Sequence, residues 1–268
     1  MDIRAVAFTA ADGYELTGTL YDAGAQRTLL IASAMGVKRR YYDAFARFIA
    51  ERGLNVLTFD YRGIGDSRPA SLRGFEGSLL DWGRLDLAAA IDFISGPLSY
   101  LGHSVGGQIA GLAPNVHRVD RFVFTSSQSG YWRHWPGVSR FGLGALWLAM
   151  PAISRVVGYF PSKVLGLGSE ELPRNVATEW AKFGRHREYL FGYADAAPYA
   201  SIAAPMLAFS FHDDRYAPRR AVEALLAKYS SARVTHKHIE QPGLGHFDLF
   251  RRGRADGLWN EIAEWLTR

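Results

Sequence analysis

Apolar residues come in two rhythms along residues 1–125, strand-length runs and longer stretches with helical spacing. Ala5–Phe8, Leu16–Tyr21 and Thr28–Ala32 predict strands, and Asp12-Gly13 predicts a hairpin turn between the first two. Tyr41–Arg52 places Phe45, Phe48 and Ile49 on one helical face, with Gly53 as its stop. Leu54–Phe59 is the next strand, followed by a glycine-rich loop from Asp60 to Ser67. Leu79–Ile94 carries Leu80, Leu87, Ile91 and Ile94 as much of a helical stripe. A strand at Leu98–Gly102, a helix from Ser104 and a strand at Arg121–Thr125 continue the pattern. Alternation at this pace predicts a mostly parallel sheet with helices on both faces.

The rhythm breaks between Ser127 and Ala200, where helical pieces near Leu143–Val157 and Pro173–Leu190 have no predicted strand between them. It resumes with a strand at Pro205–Phe211, a helix at Ala217–Tyr229, a strand at Arg233–Glu240 and a helix at Leu249–Leu266. The expected architecture is one α/β core, residues 1–126 and 201–268, carrying a helical cap inserted at 127–200. The cap is too short and irregular to hold a core of its own.

Composition narrows the chemistry. The chain has 268 residues, 48% of them hydrophobic, and no cysteine, which excludes thiol catalysis, thiolate metal sites and redox switching. The formal net charge is +5, but Lys and Arg are scattered, with runs no longer than Lys38-Arg39-Arg40, so no nucleic-acid partner is expected. The N-terminus shows no basic segment followed by an apolar one, and the expectation is a cytoplasmic protein. The uncharged stretch Phe141–Ile153 is broken by Pro151 and falls short of the ~20 residues a membrane span needs. It can still lie against a membrane or hold an acyl chain.

The strongest local signal is Gly102-His103-Ser104-Val105-Gly106, between a predicted strand and a predicted helix. G-x-S-x-G in that setting makes a sharp turn that exposes the serine at the carboxyl end of the strand. The helix N-terminus and the Val105 N–H then face negative charge developing beside it. A serine hydroxyl needs a base, and the base needs an orienting carboxylate. His246, in the glycine-flanked loop Gly243-Leu244-Gly245-His246 after the last strand, is the candidate base. His212 is its one serious competitor. His236 and His238 share one face of a strand and, as a pair alone, make an incomplete metal site; His103 is expected to pack, and His117, His134 and His186 to be bland. Asp213 and Asp214 both follow the strand Pro205–Phe211, and the Pro218 spacing favours Asp214. Ser104, Asp214 and His246 each sit past a strand's carboxyl end, the edge along which open α/β sheets build their sites. Their order along the chain is that of α/β-hydrolases.

With these residues in view, the chain resembles the α/β-hydrolase fold superfamily. More narrowly, it resembles the capped serine hydrolases of the monoglyceride-lipase and serine-aminopeptidase-like group, which includes predicted bacterial hydrolases. Besides Gly102–Gly106, the segment Leu54–Phe59 followed by Asp60-Tyr61-Arg62-Gly63-Ile64-Gly65-Asp66-Ser67 is similar to that group's strand and turn. The resemblance implies that Asp60 and Arg62 brace the loop beside the site. Gly63-x-Gly65 is not half of a dinucleotide loop, because residue 68 is Arg rather than the third glycine. The group usually has His-Gly after the third strand; here Ser33-Ala34 occupies that place. By the same register Met35 would supply the second oxyanion N–H, beside Val105.

Tyr131, Trp132, Trp135, Phe141, Trp147, Met150, Tyr159 and Phe160 stand in the cap. They are placed either to line an apolar acyl or alcohol pocket over Ser104 or simply to bury the cap on the core. Trp132, Trp135, Trp147 and Met150 are the pocket candidates. The expected activity is a serine hydrolase cleaving small or medium carboxylic esters, with no metal and no organic cofactor. The alternatives keep the same residues: an amidase or peptidase, an acyltransferase, a C–C bond hydrolase, or a low-turnover ligand-binding protein on this scaffold. No acidic pair reads an N-terminal amine, which disfavours an aminopeptidase.

Overall fold

Three strands and a helix open the chain: β1 (Asp2–Thr9), β2 (Glu15–Asp22), β3 (Thr28–Ala32) and α1 (Asp43–Ala50). The structure is a computed structural model that describes residues 1–165 and 169–267. Then come β4 (Asn55–Phe59), α2 (Leu79–Asp81) and α3 (Ala88–Phe93), with a π-helical turn at Trp82–Leu87 joining α2 to α3. β5 (Leu98–His103), α4 (Val105–Ile109) and β6 (Val119–Thr125) complete the first half. The sheet is finished by β9 (Pro205–Phe211) and β10 (Arg233–Ile239), with α8 (Arg219–Leu226) between them and α9 (Asp256–Thr267) after them.

The strand order is β1-β2-β4-β3-β5-β6-β9-β10. From β4 to β10 every neighbour is parallel, while β1 pairs antiparallel with β2, and β2 with β4. Both faces of the sheet are apolar, as a doubly covered parallel sheet requires. Leu30, Leu57, Tyr100, Phe122 and Phe124 face the side covered by α3 and α4. Their neighbours Leu29, Ile31, Val56, Leu101 and Val123 face α1 and α9. Parallel pairing brings the carboxyl ends of β3, β5, β6 and β9 to one edge.

Residues 127–200, described except for 166–168, contain α5 (Ser139–Val157), β7 (Tyr159–Phe160), β8 (Leu172–Pro173), α6 (Arg174–Arg185) and α7 (Ala197–Ser201). The sequence predicts no strand here, yet β7 and β8 pair antiparallel, Tyr159 with Pro173 and Phe160 with Leu172. Two-residue strands leave no periodicity to read. Two helix boundaries differ most from expectation. The run from Pro173 stops at Arg185, and Tyr189 lies just beyond it with φ +54°. The last helix begins at Asp256, not Leu249, because Gly253 takes φ +78° and its N–H bonds the Asp256 carboxylate. Leu249 and Phe250 are buried apolar residues of the preceding turn, in step with the helix they are not part of.

Candidate active site

Ser104 closes the turn between β5 and α4 with φ +53° and ψ −113°, a region that non-glycine residues avoid. The glycines around it are steric necessities. A Cβ on Gly102 would stand 2.6 Å from the Gly107 nitrogen, and one on Gly106 would run into the Ala32 carbonyl oxygen. The serine's own N–H donates to Thr125 O at 3.0 Å, which pins the turn to β6. Val105 opens α4, so its N–H has no carbonyl of its own helix to bond.

His246 and Asp214 form a close pair. Nδ1 of His246 lies 3.0 and 2.9 Å from the two carboxylate oxygens of Asp214. Both side chains are almost wholly buried, at 6% and 0% exposure. Asp214 Oδ1 also accepts the N–H groups of Tyr216 and Ala217, each at 2.9 Å. Burial works against its charge, but the charge of His246 and these hydrogen bonds prevail and hold the carboxyl below its ordinary pKa. Asp213 is exposed and accepts instead from Gly243 N. The carboxylate at His246 is therefore Asp214. His212 faces Glu240, 3.3 Å away, rather than either aspartate.

A buried relay ties this histidine loop to the loop after β3. Ala34 N–H donates to the Tyr42 hydroxyl at 2.8 Å, and Tyr42 meets His103 Nδ1 at 2.8 Å. His103 Nε2 then meets the backbone oxygen of His246 at 2.9 Å. A carbonyl accepts only, so Nε2 carries the proton, Nδ1 accepts from Tyr42, and the ring is neutral. Complete burial, with the like charge that His246 carries when protonated, pushes the His103 pKa down to about 3. The turn after β4 is braced from the other side. Arg62 holds Asp86 through its N–H and Nε, at 2.8 and 2.7 Å, and reaches Asp12 at 2.6 Å. Asp60 is buried against Arg39, accepting its backbone N–H at 2.7 Å and pairing with its guanidinium.

Ser104 and His246 open on a cavity of about 120 Å³. Its walls include Ala34, Met35 and Gly36 from the loop after β3, and Trp135, Trp147 and Met150 from the inserted segment. Trp135 donates its indole N–H to Arg215 O at 2.9 Å, and Trp147 donates to Gly130 O at 3.2 Å. Trp132 is not in the wall; its ring packs on Gly144 and Phe141 along α5. Gln128, Trp180, Tyr216 and Phe247 are wall residues that sequence reasoning passed over. Gln128 had a signal: it follows β6, whose carboxyl end lies on the same edge as those of β5 and β9. The Met35 N–H has no partner among the described residues. Ser33 Oγ, where His-Gly would begin, is likewise buried without a partner among them.

A sheet of this order, a strained serine after its fifth strand and a buried histidine–aspartate pair at the same edge define an α/β-hydrolase architecture. The model of the alpha/beta hydrolase family matches residues 29–255, and the chain belongs to that family. Among solved structures, a soluble variant of monoglyceride lipase from Saccharomyces cerevisiae is similar with a TM-score of 0.70 and 15% identity, over 100% of this chain and 96% of that one. A Pyrococcus furiosus esterase is similar with a TM-score of 0.67 and 17% identity, over 100% and 92% of the two chains. A hydrolase from Pseudomonas aeruginosa gives 0.66 and 19%, over 99% of both. At these identities the likeness is one of fold. No described helix is long and apolar enough to cross a membrane.

Proposed function

We propose that this protein is a serine hydrolase acting on small or medium carboxylic esters. The observation that carries the reading is the buried His246–Asp214 pair opening on the same cavity as Ser104. Asp214 accepts from His246 Nδ1–H, which leaves Nε2 as the base that takes the Ser104 proton. Ser104 Oγ attacks the ester carbonyl, and the N–H groups of Met35 and Val105 receive the oxyanion. His246 returns the proton to the departing alcohol, leaving an acyl group on Ser104. Water, deprotonated by His246, then attacks the acyl group; collapse releases the acid and restores the serine. Asp60 and Arg62 act only on the path of the neighbouring turn. The small cavity walled by Trp135, Trp147 and Met150 supports an acyl group of limited size, since a cavity of ~150 Å³ holds a ligand such as benzene. The esterase and the lipase among the similar structures agree with an ester substrate.

The test is intact mass after a fluorophosphonate, together with hydrolysis of p-nitrophenyl esters from acetate to octanoate. One adduct, absent in Ser104→Ala, and turnover that peaks at a short chain are expected. Labelling without ester turnover would shift the reading to amide, C–C or acyl-transfer chemistry. No adduct on folded protein would leave ligand binding as the function.

A further inference from the structure

At the far end of the sheet, outside the cavity, His212, His238 and Glu240 bring their ligand atoms within 4.8 Å of one another. We propose that these three residues form a binding site for a first-row transition-metal dication of the zinc type, tying the end of β10 to the end of β9. Two spacings support this. His212 Nδ1 lies 3.3 Å from one carboxylate oxygen of Glu240, and His238 Nε2 lies 3.5 Å from the other. Ligands held 2.0–2.1 Å from a tetrahedral zinc stand roughly 3.4 Å apart, so each histidine already stands at ligand spacing from the carboxylate, and closing the 4.8 Å cluster on an ion needs only small side-chain rotations.

The second support lies beneath His238. Ser210 Oγ sits between two rings, 2.8 Å from His236 Nε2 and 2.8 Å from His238 Nδ1. One hydroxyl proton cannot serve both nitrogens, so Ser210 donates to one and accepts from the other. In the arrangement where Ser210 donates to His236 Nε2, His238 Nδ1–H donates to Ser210, and His238 Nε2 presents a bare lone pair towards Glu240. This is the outer hydrogen bond that metal-bound imidazoles characteristically make, and it fixes both tautomer and ring direction. His238 is only 13% exposed and is held in place, whereas His212 and Glu240, at 63% and 71%, are free to close on an ion.

Two imidazoles and a carboxylate favour zinc, copper or nickel over magnesium or calcium, which prefer all-oxygen shells. Three protein ligands leave a fourth position for water. His212 is two residues from Asp214, so the ion would clamp the base of the loop that carries it, without occupying the cavity.

The test is calorimetric titration of the tag-free, EDTA-stripped full chain with zinc chloride, alongside thermal melts with zinc and with magnesium. Saturable binding of one zinc, a rise in melting temperature with zinc alone, and loss of both in His212→Ala are expected. Ser210→Ala should bind roughly 10- to 100-fold more weakly, the usual penalty for losing such an outer partner. His212 is exposed, so its variant separates metal binding from folding. No saturable binding at millimolar zinc, or undiminished binding in His212→Ala, would overturn the site. Full-strength binding in Ser210→Ala would overturn the part assigned to the hydroxyl.

Discussion

Acid should unfold this protein partly through one residue that does no chemistry. His103 is fully buried and neutral, with its pKa at about 3 against ~6.5 for the same side chain in an unfolded chain. As pH falls, the unfolded state takes up the proton first. Stability from this site is therefore fully present above pH ~6.5 and is lost progressively as pH falls towards 3. Between those limits one extra proton on the unfolded chain gives a slope of about 1.4 kcal/mol per pH unit. The whole interval amounts to about 5 kcal/mol, comparable with the total stability of a marginal domain. Urea unfolding at pH 7, 6, 5 and 4 on wild type and His103→Asn measures it. His103→Asn should start less stable at pH 7, because it disturbs the relay from Ala34 through Tyr42 to His246. Its stability should then fall less steeply, by about 1.4 kcal/mol per unit between pH 6 and 4. Carboxylates and histidines that do not touch His103 contribute equally to both proteins and drop out of the difference. Parallel slopes would refute the claim that His103 stays neutral in the fold.

Other substitutions probe the site directly. Asp214→Asn should lower kcat on a p-nitrophenyl ester by ~10⁴-fold through the wrong histidine tautomer, whereas Asp213→Asn should stay within a few-fold. Equal losses in the two would mean that the close pair at His246 is not what orients the base. Gly106→Ala forces a methyl group into the Ala32 carbonyl and should cost about 1–3 kcal/mol, read as a lower urea midpoint, with activity lost as the turn shifts. Trp147→Ala should cost about 3–5 kcal/mol and move the preferred ester towards longer acyl chains; an unchanged chain-length profile would remove Trp147 from the acyl pocket.

The core strands were readable because their residues are apolar in short blocks bounded by Gly, Pro and Asp. The glycine-bounded Ser104 turn was legible for a similar local reason: only glycine fits on either side of it. The Pro218 spacing singled out Asp214 because the N–H groups its carboxylate accepts come from Tyr216 and Ala217, just ahead of that proline. What was not legible depends on contacts across the fold. His103 could be assigned to packing, but its partners come from 61 residues before it and 143 after. Gln128 and Trp180 carry no local mark of facing a cavity. Trp132 and Trp135 differ by three positions, and only the turn between them decides that Trp135 reaches the wall while Trp132 lies along α5.

The strand order also bears on how such a chain diversifies. β6 and β9 are direct neighbours, with Phe124 beside Ala208, although 79 residues separate the end of one from the start of the other. Everything between them leaves at the carboxyl end of β6 and returns at the start of β9, four residues or ~13 Å back along the parallel ladder, since Thr125 pairs with Phe209. The ends of that excursion are thus already held together by the ladder, and its length is nearly free to vary, because closing a longer loop adds only a slowly growing entropic term. Ser104, Asp214 and His246 all lie outside it, while Trp135, Trp147 and Met150 lie within it. Under the proposed function, exchanging that one stretch would retune what is accepted while the three proposed reacting groups keep their geometry.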